Sequence, residues 1–595
     1  KSLALKAKKS LDGAVIPYAV FPDEDLEEYR SLVLRNNGQD WNITHFRDAM
    51  VTSLVRNIDD VNNAIEEPII YGQAHRPSVV YINGAYWGIQ NVREQMSWKY
   101  VNTHYGIDED DVDVTEDEDE LKTGDLVEWE SFMDYLEANN FSSDANYQEL
   151  RTKADIDHFI DYMLHGIIVD NNDWPGNNNR HWRERTPEGR WRWMSKDFDF
   201  GFGLRPINAD WNSGDFTTDM IEICLAEDSD EYYNKSEATL FLRRLMENDD
   251  ARTYFINRGA DLLNTAFAED RIQARIDSFE TLYIPEMQEH FDMWQSGWNG
   301  HAANVNKLRT FAGGRTDEVR GHYQDNFSDV TGLSTVTVDA NPSNGGVVQF
   351  STLNISESFY PWDGTYFSGL EVPAIAKPNR GYFFTNWSGS ASGTNAEVLV
   401  DINSSSETLT ANFTLGSTAT DPIVINEINY NSPDSPDPGD WVELHNPNNT
   451  AVDISGWYFE DESGEYYGFP QNTIMAPGSF LLLVADEAAF MAIFPNAVNV
   501  FGSFGEGENE FGLSGKGELV TLKNAAGILI DEVEFDDSAP WPEEPDGDGP
   551  TLQLISPDLD NALPENWIGF DATPGAPNAG GLTFNCPDDI EVTVI

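Results

Sequence analysis

A short segment in the first half of the chain carries the residue types that phosphoryl transfer requires. Asp173 is followed five positions later by Asn178, and about twenty residues further on the pair Asp197 and Asp199 leads into Gly201. In such reactions one carboxylate orients the attacking hydroxyl, while an Asn and another carboxylate hold the metal ions that bridge the nucleotide phosphates. This spacing therefore points to a phosphoryl-transfer site.

The same residues have a structural alternative. Asp173 and Asn178 flank a Pro-Gly pair, and Asp and Asn are common turn formers. Asp197 and Asp199 would equally suit the end of a strand. One structural argument favours the catalytic interpretation. Two metal-binding segments are commonly joined by a short hairpin, and the spacing between Asn178 and Asp197 is long enough for such a hairpin.

The elements that must position these residues follow from periodicity. Residues 1 to about 330 alternate between strand and helix patterns, which predicts an α+β domain. Residues 79–92 form two β-rich runs around an Asn-Gly turn, which predicts a hairpin. Residues 155–169 place apolar side chains on one side of a helix. The acidic run 108–120 is interpreted as a solvated loop.

The composition limits the expected partners. The 595-residue chain has 36 Lys and Arg against 103 Asp and Glu, a formal net charge of −67. Such a surface repels nucleic acid and anionic membranes, and no apolar run is long enough for a membrane span. Adaptation to salty water would explain the acidity, and widespread Ca²⁺ binding is the alternative explanation. Two cysteines, Cys224 and Cys586, cannot form a disulfide framework or a zinc cluster by themselves.

Four ordered blocks of the first 320 residues or so resemble the CotH family of spore-coat and secreted protein kinases. Residues 171–178 fit the family pattern N-x-D-W-P-x-N-N, and residues 191–202 fit W-R-W…D-x-D-F-G-F. Residues 31–48 resemble the upstream L-R-N-x-G-x-D-W block. Residues 81–94 resemble N-G-x-Y-W-G…E, and residues 311–315 resemble the closing F-A-x-x-R.

The resemblance implies a kinase that uses ATP with Mg²⁺ or Mn²⁺, and it implies roles for individual residues. Asp173 becomes the candidate catalytic Asp, Asn178 a metal ligand, and Asp197 the main metal ligand. Asp199 is a further candidate ligand. Lys196 stands where family members commonly carry an apolar or aromatic residue, which is a departure from the pattern.

The nucleotide-binding cation is assigned by the same resemblance. No Lys occupies the position that a conventional kinase motif would give it, so Arg35 is the candidate, with Glu94 as a partner at a helix start. The structural alternative is that Arg35 makes a buried ion pair with Asp40 or Asp48.

Beyond residue 330 the pattern changes to short alternating strands separated by Asn, Gly, Ser and Pro, which predicts all-β modules. Residues 381–389 and 409–413 resemble the bacterial repeat module related to internalin B-repeats. The run 416–422 is a predicted linker whose backbone is expected to be unpaired and mobile. Residues 421–579 resemble a lamin-tail domain of bacterial exported proteins, which implies an immunoglobulin-like sandwich.

The β-rich part also contains an acidic loop and a C-terminal segment with its own resemblance. Asp434, Asp437 and Asp440 could gather Ca²⁺ through oxygen ligands, and a flexible acidic loop is the alternative. Residues 580–595, with Cys586, resemble the opening strand of another adhesion-type module.

The expected organisation is therefore multidomain: an α+β kinase-like domain, a small β-repeat and an immunoglobulin-like sandwich, with the start of a further β domain. The predicted ranges are 1–330, 331–415, 421–579 and 580–595. The expected function is that of an exported bacterial kinase at the cell surface or outside the cell, with a protein substrate or other surface proteins as partners. The alternatives are an adhesive or structural surface protein with a non-catalytic kinase-like scaffold, and a Ca²⁺-dependent carbohydrate binder.

Overall fold

The structure is a computed structural model of the chain. It describes residues 2–6, 15–24, 26–56, 72–117, 120–205, 212–227, 235–295, 300–432, 437–502, 512–547 and 549–579. Cys586, Asp434 and the predicted β module at 580–595 lie outside the described residues.

An antiparallel sheet with strand order β1-β2-β4-β3 forms the first layer. Its strands are β1 (Leu3–Lys6), β2 (Ser31–Arg35), β3 (His75–Ile82) and β4 (Ala85–Glu94). The predicted hairpin is confirmed, since β3 and β4 pair across a two-residue turn in which Asn83 and Gly84 both have positive φ angles, 51° and 80°.

A second antiparallel sheet has the order β6-β5-β7-β8. Its strands are β5 (Val112–Glu116), β6 (Glu120–Thr123), β7 (Arg180–Glu184) and β8 (Arg192–Met194). Strand β5 lies inside the acidic run 108–120, so the prediction of a solvated loop was wrong there. All five residues of β5 are buried, because Val112 and Val114 enter a small core and arginine and lysine side chains neutralise Asp113 and Glu116.

Ten α-helices accompany these sheets in the described residues, and every described helix of eight residues or more precedes residue 330, as predicted. They are α1 (Arg47–Arg56), α2 (Trp98–Tyr105), α3 (Val127–Ala138), α4 (Asp144–Lys153), α5 (Ile156–Ile168), α6 (Met220–Leu225), α7 (Ser236–Leu245), α8 (Asp249–Asn264), α9 (Glu269–Trp294) and α10 (His301–Asn326). Helix α5 confirms the predicted helical pattern at 155–169 and runs through the core, with 11 of its residues buried. No described helix has both the length and the apolar character needed to cross a bilayer.

The next region is all β. Its two four-stranded sheets have the orders β11-β10-β13-β15 and β12-β9-β16-β14. The strands are β9 (Gly332–Asn341), β10 (Gly346–Phe350), β11 (Leu353–Ile355), β12 (Trp362–Ser368), β13 (Glu371–Pro378), β14 (Tyr382–Gly389), β15 (Glu397–Asp401) and β16 (Ser406–Leu415). Its core is continuous with that of the helical region.

The last described region is also β-rich and has its own core. A six-stranded sheet, β24-β23-β18-β17-β27-β28, accompanies a four-stranded sheet, β21-β20-β25-β26, and the pair β19-β22. The elements are β17 (Val424–Asn429), β18 (Trp441–His445), β19 (Val452–Asp453), β20 (Tyr458–Glu460), β21 (Tyr466–Gly468), β22 (Ile474–Met475), β23 (Phe480–Val484), α11 (Glu487–Ile493), β24 (Val500–Phe501), β25 (Gly517–Lys523), β26 (Leu529–Asp536), β27 (Thr551–Leu554) and β28 (Trp567–Phe570). The predicted fold class, an α+β region followed by all-β modules, is confirmed.

The predicted linker is bound to both of its neighbours. The amide of Gly416 donates to the Gly381 carbonyl at 2.8 Å, and the amide of Ser417 donates to the Ser455 carbonyl at 2.7 Å. The side chain of Asn524 donates to the carbonyls of Thr418 and Ala419. The expectation of an unpaired backbone was therefore wrong, because groups distant in sequence supply the hydrogen bonds that the local composition cannot.

Candidate active site

The β7–β8 hairpin brings the two acidic segments to one place. Strand β7 begins two residues after Asn178, and β8 ends three residues before Asp197. Arg180 pairs with Met194 in the antiparallel register, so Asn178 and Asp197 both lie at the open end of the hairpin. This is the arrangement that their spacing suggested.

Direct hydrogen bonds connect the loop after α5 to the segment after β8. The amide of Asn172 donates to the Phe200 carbonyl at 3.2 Å, and the amide of Phe202 donates to the Val169 carbonyl at 2.9 Å. Within the loop, Asn178 Nδ2 donates to Asp173 Oδ2 at 3.1 Å. The structure therefore places Asp173 and Asn178 in contact with each other, in a loop that runs beside the segment carrying Asp197 and Asp199.

Arg35, at the end of β2, links this segment to helix α1. Its Nε lies 2.9 Å from Asp48 Oδ2, and its guanidinium also contacts Asp197. Asp48 is fully buried, pairs with Arg93 at 2.9 Å and accepts a hydrogen bond from the Phe198 amide. Burial opposes ionisation of Asp48, but the charges of Arg93 and Arg35 hold its pKa below the ordinary value.

Of the alternatives considered for Arg35, the structure shows the ion pair with Asp48. Asp40 instead pairs with Arg47. Glu94 is not the partner of Arg35, and it ends a strand rather than starting a helix. Arg35 lies opposite Asn91 in the sheet, and Glu94 follows Asn91 by three residues, so its side chain points to the other face.

Three carboxylates crowd around Arg35. Asp199 Oδ2 accepts a hydrogen bond from the Gln39 amide, and the backbone approaches so closely that a β-carbon at Gly38 would overlap the carboxylate. Burial, and next the charge of Asp197, raise the pKa of Asp199 well above its ordinary value. Two guanidinium groups, those of Arg35 and Arg93, thus face three carboxylates, those of Asp48, Asp197 and Asp199, and an additional cation would relieve the remaining repulsion between the carboxylates.

Two buried arginines fix the backbone on either side of the site. Arg47 donates to the carbonyls of Gly201 and Phe202 at 2.8 and 2.7 Å. Arg315 donates to the carbonyls of Ile168 and Ile167, at the end of α5, at 2.8 and 2.7 Å. The sequence interpretation gave neither a role. Both lie in the blocks that resemble CotH, which was the available signal.

The backbone of the site is conformationally unusual. Asp170, Asn178, Asp197 and Phe202 all have positive φ angles, between 52° and 63°. Such conformations are disfavoured for residues with a β-carbon, above all for a bulky one such as Phe. They persist where the surrounding structure imposes them, as Arg47 does at Phe202, and they are concentrated at functional sites.

Lys196 joins a separate buried cluster beside Asp197. Its ammonium group contacts Glu116, which also pairs with Arg180 and with Lys122. Burial, and next the charge of Arg180, lower the pKa of Lys196. The charge of Lys196, the residue that departs from the family pattern, is therefore balanced by the Glu116 carboxylate on strand β5.

A strand–helix ion pair, an Asp and an Asn in one loop, and an acidic pair at the open end of a hairpin are together the arrangement of a kinase-like domain. The family model described as CotH kinase protein matches residues 1–319, more than half of the chain, and the chain belongs to this family. The Divergent InlB B-repeat domain matches residues 336–417, and the Lamin Tail Domain matches residues 416–537. The three predicted resemblances are confirmed in this order.

No curated protein matches the chain. A solved structure of a DUF4876 family protein from Bacteroides thetaiotaomicron VPI-5482 is 13% identical, with a TM-score of 0.14; the match covers 40% of this chain and 75% of that one.

Proposed function

We propose that the kinase-like region transfers a phosphoryl group from a nucleoside triphosphate to a protein hydroxyl with the aid of a divalent metal ion. The observation that carries this proposal is the position of the Asp173–Asn178 loop beside Asp197 and Asp199, at one end of a hairpin, next to a basic side chain. The β-rich regions would hold this domain at the bacterial surface or outside the cell.

The pair formed by Arg35 and Asp48 supports nucleotide binding. In protein kinases a strand Lys, fixed by a Glu on a neighbouring helix, contacts the nucleotide phosphates. Here a strand residue, Arg35, is fixed in the same manner by Asp48 of helix α1. A guanidinium can bind phosphate oxygens through two parallel hydrogen bonds, so Arg is suited to this task.

The residues also fit a hard divalent cation such as Mg²⁺ or Mn²⁺. Asp197 and Asp199 supply carboxylate oxygens, and Asn178 directs its amide nitrogen to Asp173, so its amide oxygen is the atom suited to ligation. When bound, the metal ion would supply positive charge to the phosphates of the nucleotide. These three residues are the proposed ligands.

Asp173 is the proposed catalytic residue. Its carboxylate is half-buried and receives the Asn178 amide, which fixes its orientation. In this role Asp173 would accept a hydrogen bond from the acceptor hydroxyl and take its proton as the new bond to phosphorus forms.

Transfer of γ-labelled phosphate by the full chain, with Mn²⁺, with Mg²⁺ and without metal, tests the proposal. We expect metal-dependent labelling of the chain or of an added protein acceptor. Asp197→Asn should lose both labelling and metal-dependent nucleotide binding, whereas Asp558→Asn, at an exposed position of the lamin-tail region, should keep both. If the wild type shows no metal-dependent nucleotide binding, the domain is a scaffold and the proposal fails.

A further inference from the structure

A second group of metal-ligating side chains lies away from the proposed active site. Glu24 precedes β2, Glu94 ends β4, and His104 lies in α2. One ligating atom of each lies within 4.8 Å of those of the other two, and His104 Nε2 is 2.6 Å from Glu94 Oε1. Residues distant in sequence thus bring two carboxylates and an imidazole to one point.

This group is enclosed. The side chains of Glu24, Glu94 and His104 are 8%, 3% and 12% exposed. Two carboxylates this close repel each other strongly when water is excluded. Arg56 pairs with Glu24, and the Tyr29 hydroxyl donates to Glu24 at 2.8 Å. Glu94 accepts the Ala74 amide at 3.1 Å and contacts the His104 imidazole, so with a neutral His104 the charge of Glu94 has hydrogen bonds but no cation.

A buried hydroxyl beside the group lacks a partner. Tyr100 is 4% exposed, and its hydroxyl has no hydrogen-bond partner among the described residues. Its ring lies 4.2 Å from the imidazole of His104, centroid to centroid, and the charges of Glu94 and Glu24 act on its hydroxyl. An unpartnered buried hydroxyl is costly, and a water molecule on a bound metal ion would satisfy it.

We propose that Glu24, Glu94 and His104 bind a transition-metal dication of the Zn²⁺ type. The imidazole nitrogen favours Zn²⁺ and its neighbours in the first transition row over Mg²⁺ or Ca²⁺. Three protein ligands leave a fourth position for water, next to Tyr100. On binding, the ring keeps one proton on Nδ1: the Nε2 proton that now bonds Glu94 leaves if the ring is an imidazolium, and it moves to Nδ1 through water if the ring is neutral. In both cases the Nε2 lone pair goes to the metal ion.

The site would join two parts of the kinase-like region. Glu94 belongs to the first sheet, and His104 belongs to helix α2, which packs against β5 of the second sheet. A metal ion bound to both would fix the connection between the sheets, so its expected effect is on rigidity and stability. This proposal goes beyond phosphoryl transfer and does not depend on it.

Titration with Co²⁺, whose visible absorption reports its ligands, tests the proposal. The full chain, free of a histidine tag, carries Asp197→Asn and Asp199→Asn to remove the two carboxylate ligands proposed for the active site. We expect one equivalent of Co²⁺ to bind with a low-coordinate visible band that Zn²⁺ abolishes. Adding His104→Gln should weaken binding by at least about tenfold, and adding Glu24→Gln should do the same.

The matched control is His445→Gln, because His445 is also half-buried but lies in the lamin-tail region. This variant should keep the Co²⁺ affinity and spectrum, and circular dichroism should show that every variant is folded. Absence of Co²⁺ binding in the starting chain, or equal binding after His104→Gln, would overturn the proposal. Because both catalytic ligands are absent throughout, neither result bears on phosphoryl transfer.

Discussion

In the kinase-like region the buried carboxylate of Asp48 faces guanidinium groups, whereas in the lamin-tail region the buried carboxylate of Glu443 faces uncharged donors. Asp48 is held between Arg35 and Arg93. Glu443, on β18, accepts hydrogen bonds from the Asn426 side chain at 2.8 Å and the Gly575 amide at 2.6 Å. The buried carboxylate is thus stabilised by positive charge at Asp48 and by hydrogen bonds from uncharged groups at Glu443.

The consequence is a difference in protonation. Glu443 lies directly opposite Glu427 across the β17–β18 ladder, and neither glutamate has a basic partner among the described residues. Burial, and next the charge of Glu427, raise the pKa of Glu443 to about 8, while the arginines lower the pKa of Asp48. A carboxylate paired with arginines stays ionised, whereas the raised pKa of Glu443 favours its protonated form near neutral pH.

The largest expected effect separates catalysis from structure. Asp173→Asn removes the carboxylate but keeps its shape, so phosphoryl transfer should fall by about 10³-fold while nucleotide affinity stays nearly unchanged. The same isosteric change at Glu443 should leave the transfer rate intact. Labelled-phosphate transfer and calorimetric nucleotide titration check both variants, and an unaltered rate for Asp173→Asn would refute its catalytic role.

A second variant tests the buried ionic network. Asp48→Asn leaves two buried guanidinium groups, those of Arg35 and Arg93, short of one negative charge, and should destabilise the kinase-like region by about 3–5 kcal/mol. Hydrogen exchange of peptides from α1 and β4 would measure the loss locally. A cost below about 1 kcal/mol would show that the arginines find other partners and that the contrast with the lamin-tail region is weaker than proposed.

The corresponding change in the lamin-tail region should be mild. Glu443→Gln mimics the uncharged side chain but keeps an oxygen for only one of its two donors, Asn426 and Gly575, so we expect a loss of about 1–2 kcal/mol, smaller than that of Asp48→Asn. Hydrogen exchange of peptides covering 441–445 and 571–579 measures it. A loss comparable to that of Asp48→Asn would show that Glu443 is ionised in the folded protein.

The pH dependence follows from the same raised pKa. The folded state holds the Glu443 proton up to about pH 8, whereas the unfolded state releases it near the ordinary value of about 4.3. The contribution of the Glu443 proton to the free energy of unfolding is therefore complete below the pKa of the unfolded state. This contribution declines as pH rises and is lost above about pH 8. Protection of the backbone amides of residues 571–579 against hydrogen exchange, corrected for the intrinsic exchange rate, should fall as pH rises towards about 8 in the wild type. It should not fall in Glu443→Gln.

The smallest effect concerns the junction between the two β-rich regions. Because Gly416 and Ser417 donate to carbonyls of both neighbours, limited proteolysis of the full chain should not cut first within 416–421. Mass spectrometry of the early fragments checks this. Early cleavage there would restore the sequence-based expectation of a mobile linker.

The Ca²⁺ interpretation of the lamin-tail loop stays a prediction. Asp437 Oδ1 accepts the Gly439 amide at 2.8 Å, and Asp440 Oδ2 accepts the Leu513 amide at 2.9 Å. Burial raises the pKa of Asp440 to about 7. These contacts already use one oxygen of each carboxylate, and Asp434 lies outside the described residues.

Local sequence determined the elements and their order. The Asn-Gly turn, the apolar stripe of α5 and the strand patterns beyond residue 330 each depend on neighbours within a few positions, so they could be predicted. The ordered motifs likewise identified the family, and they supplied the candidate site residues, of which Glu94 was wrong as the partner of Arg35. The spacing of Asn178 and Asp197 even indicated the hairpin that joins them.

Tertiary structure decided which side chains face each other. Only the contact between β2 and helix α1 shows that Arg35 meets Asp48. Only the sheet register shows that Glu94 points to the opposite face, towards His104. Burial of β5 within an acidic run, and pairing of the 416–421 backbone, likewise depend on cations and donors far away in sequence. A charged or polar segment is exposed to solvent only when no ion-pair or hydrogen-bond partner lies next to it. Whether residues distant in sequence provide that partner is decided by the tertiary structure.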